Sequence, residues 1–309
     1  MTSSSSRPGE FALIAELFAP LATSPGAFGL TDDVALLRPP RGRELVITTD
    51  ALIAGVHFRA DDPAEGIARK ALRVNLSDLA AKGAEPLGYL LALSLPRDVR
   101  YKWLRSFANG LAKDQREFGI TLLGGDTTAT PGPLTIAITA IGSVPKGKML
   151  RRKGAKPGDL VFVSGTIGDA GAGLAGKSKA AIARYRIPSP RLSLGRALRG
   201  VASASLDVSD GLIADLGHIA EVSNVRIAIE ALRIPLSAER DPVAAATAGD
   251  DYEIAFTAPA GKRAAVMQAA TKARVRVTEI GRVERGAGTV LLDGQGREIA
   301  LRRTGYRHF

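Results

Sequence analysis

Leu122-Leu123-Gly124-Gly125-Asp126-Thr127-Thr128 joins an apolar run to two glycines, a carboxylate and two hydroxyls. Comparable aspartates stand where apolar strands are predicted to end, or between apolar residues: Asp32, Asp33, Asp50, Asp78, Asp207 and Asp210. A carboxylate beside a buried strand end is costly unless a partner compensates for its desolvation. Mg²⁺ does so, because it prefers oxygen ligands and usually sits between carboxylates and substrate phosphates. The pattern therefore predicts Mg²⁺-dependent chemistry on a phosphorylated ligand.

Each of these aspartates, taken singly, is more typical of a turn or a helix cap than of a metal ligand. Asp210-Gly211, for example, precedes an apolar-periodic run and is a good helix start by itself. The metal interpretation gains its weight from the repetition of the pattern and from the cluster at 124–128.

The composition is that of an ordinary globular protein. The 309 residues are 45% hydrophobic and 24% charged, a length for which two domains are the default. There is no cysteine, which excludes disulfides, a thiol nucleophile and a zinc–thiolate site. The start, Met1-Thr2-Ser3-Ser4-Ser5-Ser6-Arg7, has no apolar core of a signal peptide, and no apolar stretch reaches membrane-spanning length. We expect a cytoplasmic protein with no membrane partner.

The net charge of +11 is compatible with nucleic acid or with a polyanionic small ligand. The basic residues are scattered, the densest cluster being Arg151-Arg152-Lys153. Aromatic residues make up only 5%, so platforms for stacking bases are scarce. Nucleic acid is therefore not an expected partner.

Apolar periodicity predicts alternating helices and strands, an α/β (α+β) chain. A turn-rich and basic segment from Pro145 to Gly158 marks the domain junction. The predicted organisation is a disordered tail at 1–8, an N-terminal domain at 9–147 and a C-terminal α/β domain at 148–309. The main predicted elements are a helical stripe at Phe11, Ile14, Leu17 and Phe18, strands at 44–49, 88–95, 120–124, 134–142, 160–163, 225–230 and 252–256, and helices at 63–82, 100–118 and after Asp210.

Gly171–Ser178 matches the phosphate-binding loop pattern GxxxxGK[ST] and also GxGxxG. A phosphate-binding loop follows directly on a buried strand and opens a long helix. Here Thr166–Ala170 intervenes after the predicted strand, and Pro188 follows within a few turns. A P-loop NTPase using Lys177 and Ser178 is the alternative function. Because the chain holds only three histidines and no GxSxG elbow, a zinc triad and an activated serine are not expected, and a phosphoryl acceptor would supply its own nucleophile.

The chain resembles the thiamine-monophosphate kinase family over nearly its whole length, from about Gly9 to Phe309. The resemblance is carried, in order, by 9–14, Thr48-Thr49-Asp50, Gly55-Val56-His57-Phe58, 70–81, 124–128, 152–159, Asp207-Val208-Ser209-Asp210-Gly211-Leu212, Asp250-Asp251-Tyr252-Glu253 and Gly305-Tyr306-Arg307-His308-Phe309. It implies the two-domain aminoimidazole-ribonucleotide-synthetase-like fold, with an N-terminal sheet that pairs with its twin in a homodimer. It also implies transfer of the ATP γ-phosphoryl group to thiamine monophosphate, assisted by several Mg²⁺ ions.

The resemblance further implies roles for single residues. Arg152, Asp126 and Asp210 would be catalytic, and Gly125, Asp126, Arg152 and Ser209 would contact ATP. His57, Asp250 and Tyr306 would contact the second substrate. The implied Mg²⁺ ligands are Asp32, Thr48, Thr49, Asp50, Asp78, Asp126, Asp207 and Asp210.

Two departures from the family pattern stand out. Thr31 replaces a glycine, and a positive φ there would strain the threonine. Ala248-Gly249 replaces Gly-Gly. Relatives on the same fold that depend on cysteine or selenocysteine are excluded by the absence of cysteine, whereas a purine-pathway ATP-dependent ligase shares the motifs more loosely and stays a second alternative.

Overall fold

The computed structural model describes residues 9–307. The tail predicted at 1–8 lies outside the described residues, as do His308 and Phe309. The chain forms two compact units. The first holds the described residues up to Leu79 together with Pro86–Ser143, and the second holds Ala80–Glu85 and the described residues from Val144 onward. Each unit combines a β-sheet with helices, so the predicted α/β class is confirmed.

The first unit is built on a four-stranded sheet of order β1-β4-β2-β3, in which β2 and β3 run parallel. Its elements are α1 (Glu10–Leu13), β1 (Arg43–Ile53), α2 (Ala64–Ala81), β2 (Glu85–Pro96), α3 (Tyr101–Phe118), β3 (Thr121–Thr130) and β4 (Thr135–Pro145). A short π-helix, Ile14–Phe18, continues α1. Gly119 ends α3 in the left-handed conformation at φ 65, which glycine adopts without a steric penalty.

The two faces of this sheet differ in burial. Along β4, Ile136, Ile138 and Ala140 are buried, and α2 and α3 contribute further fully buried leucines to this core. Side chains alternate between the faces of a strand, and the opposite face is more open. There Leu45 and Ile47 of β1 are 39% and 62% exposed, and Leu90 of β2 is 39% exposed.

The second unit is built on a six-stranded sheet of order β10-β7-β9-β5-β8-β6. The central strand β5 pairs antiparallel with β8 and β9, and Phe162 stacks on Phe256 at 5.2 Å between ring centroids. The elements are β5 (Asp159–Ser164), α4 (Asp169–Leu174), α5 (Lys179–Arg186), α6 (Leu192–Ala197), β6 (Ala204–Asp207), α7 (Leu212–Ser223), β7 (Arg226–Glu230), α8 (Pro242–Thr247), β8 (Ile254–Pro259), α9 (Arg263–Ala273), β9 (Val277–Glu284) and β10 (Gly288–Leu292). Helix α7 packs its buried residues into the core of this sheet.

The predicted strands and helices are present, with instructive differences at their ends. Asp50 and Asp126 do not follow their strands but lie inside β1 and β3. The threonines around both aspartates are β-branched and favour extended backbone, so each strand continues through its polar residues. Strand β8 begins at Ile254, two residues after the predicted start at Tyr252. The helical stripe at the start buries Leu17 and Phe18 but leaves Phe11 85% exposed.

No helix within residues 9–307 combines the length and the apolarity needed to cross a membrane.

Candidate functional site

The first unit brings together three of the predicted metal ligands. Thr48 and Asp50 are two residues apart on β1 and therefore point to the same face. The Thr48 hydroxyl donates a hydrogen bond of 2.5 Å to Oδ2 of Asp78, which lies on α2. Burial, and then the charge of Asp78, raise the pKa of Asp50 to about 6. Two carboxylates held close together in a partly buried position form a place where a cation would relieve repulsion.

The side chain of Thr49, the residue between Thr48 and Asp50, has different hydrogen-bond partners. Thr49 points to the other face of β1 and donates to the carbonyl of Ile138 at 3.2 Å, while accepting a hydrogen bond from Thr139. Its side chain thus bridges β1 and β4. Its predicted role as a metal ligand stays a prediction.

A cavity of about 660 Å³ lies in the first unit. Its lining is largely apolar, but Asp32, Asp33, Gly125 and Asp126 contribute polar groups and exposed backbone. A cavity of this size and mixed lining is typical of a small-molecule site. Asp32, Gly125 and Asp126, predicted as metal and ATP contacts, all line this cavity, and their roles stay predictions.

Gly125 has a steric reason to be glycine. A Cβ atom at this position would lie 1.9 Å from the carbonyl oxygen of Leu91 on the adjacent strand. At Gly124 the closest atom to an added Cβ is a Leu90 methyl carbon at 3.5 Å, an ordinary contact. Of the two glycines, only Gly125 is required by the close approach of β2 to β3.

The substitution of threonine for glycine at position 31 causes no backbone strain. Thr31 has φ −105, and its hydroxyl donates to the carbonyl of Phe28 at 2.7 Å. The left-handed conformations fall just before it, at Phe28, Gly29 and Leu30, with φ values of 49, 63 and 59. The turn that leads to Asp32 therefore has its positive φ values before Thr31, and not at Thr31 itself.

The second unit holds Ser209 and Asp210 in a tight loop between β6 and α7. The Asp215 side chain, on the first turn of α7, accepts the backbone N–H groups of Ser209, Asp210 and Gly211 at Oδ2, each at 3.0 Å. Desolvation, and then the charge of Asp210, raise the pKa of Asp215 to about 7, although the three N–H bonds act in the opposite direction. The loop conformation is thus organised by a buried carboxylate.

The carbonyl groups of the same loop bind two other segments. The Ser209 carbonyl accepts the N–H of Asp250, and the Asp210 carbonyl accepts the N–H of Tyr306, both at 2.8 Å. Gly249 is needed at this junction, because a Cβ there would meet the Ser209 oxygen at 2.4 Å. The predicted nucleotide and metal residues are therefore directly joined to two predicted substrate residues.

Asp250 has an unusual backbone. Asp250 and Tyr252 both have positive φ, 68 and 50, and the Tyr252 hydroxyl donates to Asp250 Oδ1 at 3.1 Å. Non-glycine residues in this region are uncommon, and such conformations cluster at ligand sites. Ala248, which stands in place of a family glycine, has an ordinary extended backbone at φ −85.

The remaining predicted residues are Asp207 and Arg152 in the second unit and His57 in the first. Asp207 is the last residue of β6 and is 7% exposed. Arg152 presents an exposed side chain in the second unit. His57 belongs to the first unit, where its Nδ1 accepts the N–H of Ile53 at 3.0 Å.

The predicted metal ligands divide between the two units. Asp32, Thr48, Thr49, Asp50, Asp78 and Asp126 lie in the first unit, and Asp207 and Asp210 in the second. Across residues 9–307, no three His, Cys, Asp or Glu side chains come close enough to hold a metal ion on their own. The donors are nevertheless all oxygen atoms, and burial together with the charge of Asp78 disfavours the ionised form of Asp50 in the absence of a cation. This donor chemistry fits Mg²⁺.

The Gly171–Ser178 motif is not a phosphate-binding loop. It spans the end of the short α4, a turn with Gly176 at φ 73, and Ser178 as the N-cap of α5. Two N–H groups at the start of α4, those of Gly168 and Ala170, donate to the carboxylate of Asp251. Lys177 pairs with Glu239 at 2.6 Å. The amides before the motif and its lysine thus have protein partners, and the P-loop alternative is not favoured.

Sequence reasoning did not predict the role of Asp215. It also did not predict that Asp251 and Glu253 of the Asp250–Glu253 motif are buried and hydrogen-bonded within the protein. Glu253 is fully buried and bound by Arg184, Arg191 and the Ser164 hydroxyl. For Asp215 a signal existed, since Leu212-Ile213-Ala214-Asp215-Leu216 places a carboxylate within an apolar helical run. A charge in such a position requires a partner, and here the partner is the preceding loop.

Known proteins share this architecture. The family model for the N-terminal domain of AIR synthase related proteins matches residues 31–144, and the model for the C-terminal domain matches 156–293. The thiamine-monophosphate kinase of Caulobacter vibrioides is 44% identical over 97% of this chain and 91% of its own length. The solved thiamine-monophosphate kinase of Stenotrophomonas maltophilia is 40% identical, with a TM-score of 0.84, and covers 94% of this chain and 98% of its own. The structure of AaThiL complexed with AMPPCP and TMP is 30% identical, with a TM-score of 0.77, and covers 99% and 100%.

Proposed function

The chain belongs to the thiamine-monophosphate kinase family of AIR synthase related proteins, and we propose that it transfers the γ-phosphoryl group of ATP to thiamine monophosphate, forming thiamine diphosphate and ADP. One observation supports this function above others. The loop with Ser209 and Asp210 hydrogen-bonds through its carbonyls to Asp250 and Tyr306. Residues assigned to the nucleotide and to the second substrate thereby form one structural element, as a two-substrate transfer requires. The AaThiL relative was solved with AMPPCP and TMP together.

Mg²⁺ is the metal that the oxygen donors suit. We propose that Asp50, Asp78 and Thr48 hold it in the first unit, with Asp32, Thr49, Asp126, Asp207 and Asp210 as further ligands. Bound Mg²⁺ would supply neutralisation of charge on the transferring phosphates. The Thr48 hydroxyl orients the Asp78 carboxylate beforehand through their 2.5 Å hydrogen bond.

The nucleotide and substrate contacts follow from the positions of side chains. Gly125 and Asp126 line the 660 Å³ cavity, where the Asp126 carboxylate is the group available to the nucleotide and its metal. Asp250 presents a carboxylate held by the Tyr252 hydroxyl, a group suited to the positive charge of the thiazolium ring. His57 and Tyr306 complete the proposed substrate contacts.

The proposed transfer is a direct in-line displacement. The phosphate of thiamine monophosphate attacks the γ-phosphorus, the bond to the β–γ bridging oxygen breaks, and ADP leaves. Repulsion between the two anions is the main obstacle, because like charges at about 4 Å repel by several kcal/mol at intermediate dielectric. The exposed guanidinium of Arg152 suits a phosphate clamp, since its planar fork binds two oxygens at once.

The deciding experiment is incubation of the purified chain with ATP, Mg²⁺ and thiamine monophosphate, with chromatographic detection of thiamine diphosphate. We expect stoichiometric product and ADP. Use of ATP with a chiral γ-phosphate should give inversion of configuration. Retention, or a phosphoenzyme trapped in the absence of thiamine monophosphate, would exclude the direct displacement.

We also propose that the open face of the first unit's sheet packs against a second copy of the chain. This face carries Leu45, Ile47 and Leu90, which are at least 39% exposed in the single chain. Apolar side chains grouped on one sheet face favour a protein contact. Ile47→Asp should convert a dimer into a monomer in light scattering, whereas Leu232→Asp, an exposed leucine of the second unit, should not. A monomeric wild-type protein would refute the homodimer.

A further inference from the structure

The main chain of the Ser209–Asp210 loop has no N–H group left for a ligand. The N–H groups of Ser209, Asp210 and Gly211 point to the Asp215 carboxylate. The carbonyls of Ser209 and Asp210 accept the N–H groups of Asp250 and Tyr306. In glycine-rich phosphate loops the opposite holds, since the backbone N–H groups themselves bind the phosphates. This loop can therefore donate hydrogen bonds to a ligand only through side chains, and the Ser209 hydroxyl is its available donor.

The Asp215 carboxylate is the group that imposes this arrangement. Asp215 is 2% exposed, and a buried carboxylate is tolerated only with strong hydrogen bonds. Helix α7 has Gly211 at its N-cap, which provides no side-chain cap. Gly211 also has φ 127, a conformation that other residues rarely adopt and that must be held by its surroundings. Three charge-assisted hydrogen bonds to one oxygen provide that restraint.

We propose that Asp215 is a positioning residue, which holds the Ser209–Asp210 loop so that its two side chains face the nucleotide and its metal. Through the loop carbonyls it also sets the position of Asp250 and Tyr306. Asp215 itself touches neither ligand in this assignment. The identity of the ligands rests on the proposed function, whereas the ordering of the loop does not.

Asp215→Asn tests the proposal, because it keeps the side-chain shape and one acceptor oxygen but removes the charge. Asp293→Asn is the matched control. Like Asp215, Asp293 uses one carboxylate oxygen to accept backbone N–H groups, those of Gln295 and Arg297 at 2.9 Å each, but it lies in the turn after β10, where no ligand is predicted. Both variants are examined at pH 8 by hydrogen exchange of the backbone amides and by calorimetric titration with AMPPCP and Mg²⁺.

In Asp215→Asn we expect the amides of Ser209, Asp210 and Gly211 to exchange about tenfold faster, since neutral hydrogen bonds restrain them less. The dissociation constant for AMPPCP with Mg²⁺ should rise about tenfold. Asp293→Asn should change neither the exchange of these three amides nor the affinity.

Unchanged exchange at these three amides, or unchanged affinity despite faster exchange, would overturn the positioning role. If Asp215→Asn does not fold, Asp215→Glu, which keeps the charge but shifts the carboxylate, is measured in the same way with the same expected losses. A wild-type protein that forms no thiamine diphosphate, yet shows the exchange contrast, would refute the proposed function and leave the loop-ordering role supported.

Discussion

Gly125→Ala should damage both stability and activity, while Gly124→Ala should damage neither. The Cβ added at position 125 would lie 1.9 Å from the Leu91 carbonyl oxygen, whereas real Cβ atoms essentially never approach within 3.0 Å. Strands β2 and β3 would have to separate locally by roughly 1 Å, and forcing extra volume into a packed site costs about 1–3 kcal/mol. Asp126 follows directly, so the displacement reaches a predicted catalytic carboxylate, and a shift of roughly 1 Å can cost about 100-fold in rate.

The measurement is urea unfolding together with steady-state formation of thiamine diphosphate. Gly124→Ala is the matched control, since its added Cβ makes only a 3.5 Å contact with Leu90 in the same strand pair. Both variants share the same loss of backbone freedom in the unfolded chain, which cancels in the comparison. Equal stabilities and equal rates for the two variants would refute the steric argument and, with it, the reason given for glycine at position 125.

Three further predictions concern separate parts of the chain. Glu253→Gln should lower the free energy of unfolding by about 3 kcal/mol, because it removes a fully buried carboxylate charge that pairs with two partly buried arginines. Glu279→Gln, whose two arginine partners are about half exposed or more, should cost at most about 1 kcal/mol; equal losses in chemical denaturation would contradict the role of burial. Lys177→Ala should leave ATP turnover nearly intact while Asp126→Ala abolishes it, and a collapse of turnover with Lys177→Ala alone would restore the P-loop alternative. Tyr252→Phe removes the hydroxyl that donates to the Asp250 carboxylate, which we propose contacts thiamine monophosphate. KM for thiamine monophosphate should therefore rise by about five- to tenfold, the equivalent of one hydrogen bond, with KM for ATP unchanged; equal changes in both would argue against a specific substrate role.

Local sequence patterns predicted most helices and strands, because apolar residues recur with the period of a helix or of a strand. The 63–82 helix and the 100–118 helix correspond closely to α2 and α3. The ends of the strands could not be predicted as well from the sequence. Asp50 and Asp126 interrupt the apolar pattern, yet hydrogen bonding to neighbouring strands carries β1 and β3 beyond them, and strand pairing is a long-range property that no local window contains.

In the candidate site, too, some features follow from residue type and others depend on tertiary geometry. Spacing and resemblance predicted metal and nucleotide roles for Asp78, Ser209 and Asp210, because their residue types suit that chemistry. The apolar run around Asp215 indicated a carboxylate in need of a partner, but not which partner, because that depends on where its oxygen lies relative to three N–H groups of the preceding loop. The strain expected at Thr31 also depended on a dihedral angle, and the turn places its positive φ values one to three residues earlier. Such details follow from tertiary geometry rather than from residue type.

The hydrogen bonds that hold the Ser209–Asp210 main chain have a practical consequence for crystallography. Since the loop shape is set by backbone groups bound to Asp215, Asp250 and Tyr306, it does not depend on the Asp210 side chain. Asp210→Asn should therefore yield a catalytically silent protein with a native loop. Such a variant would allow ATP itself and thiamine monophosphate to be crystallised side by side before transfer, capturing both unreacted substrates without an analogue in place of either one.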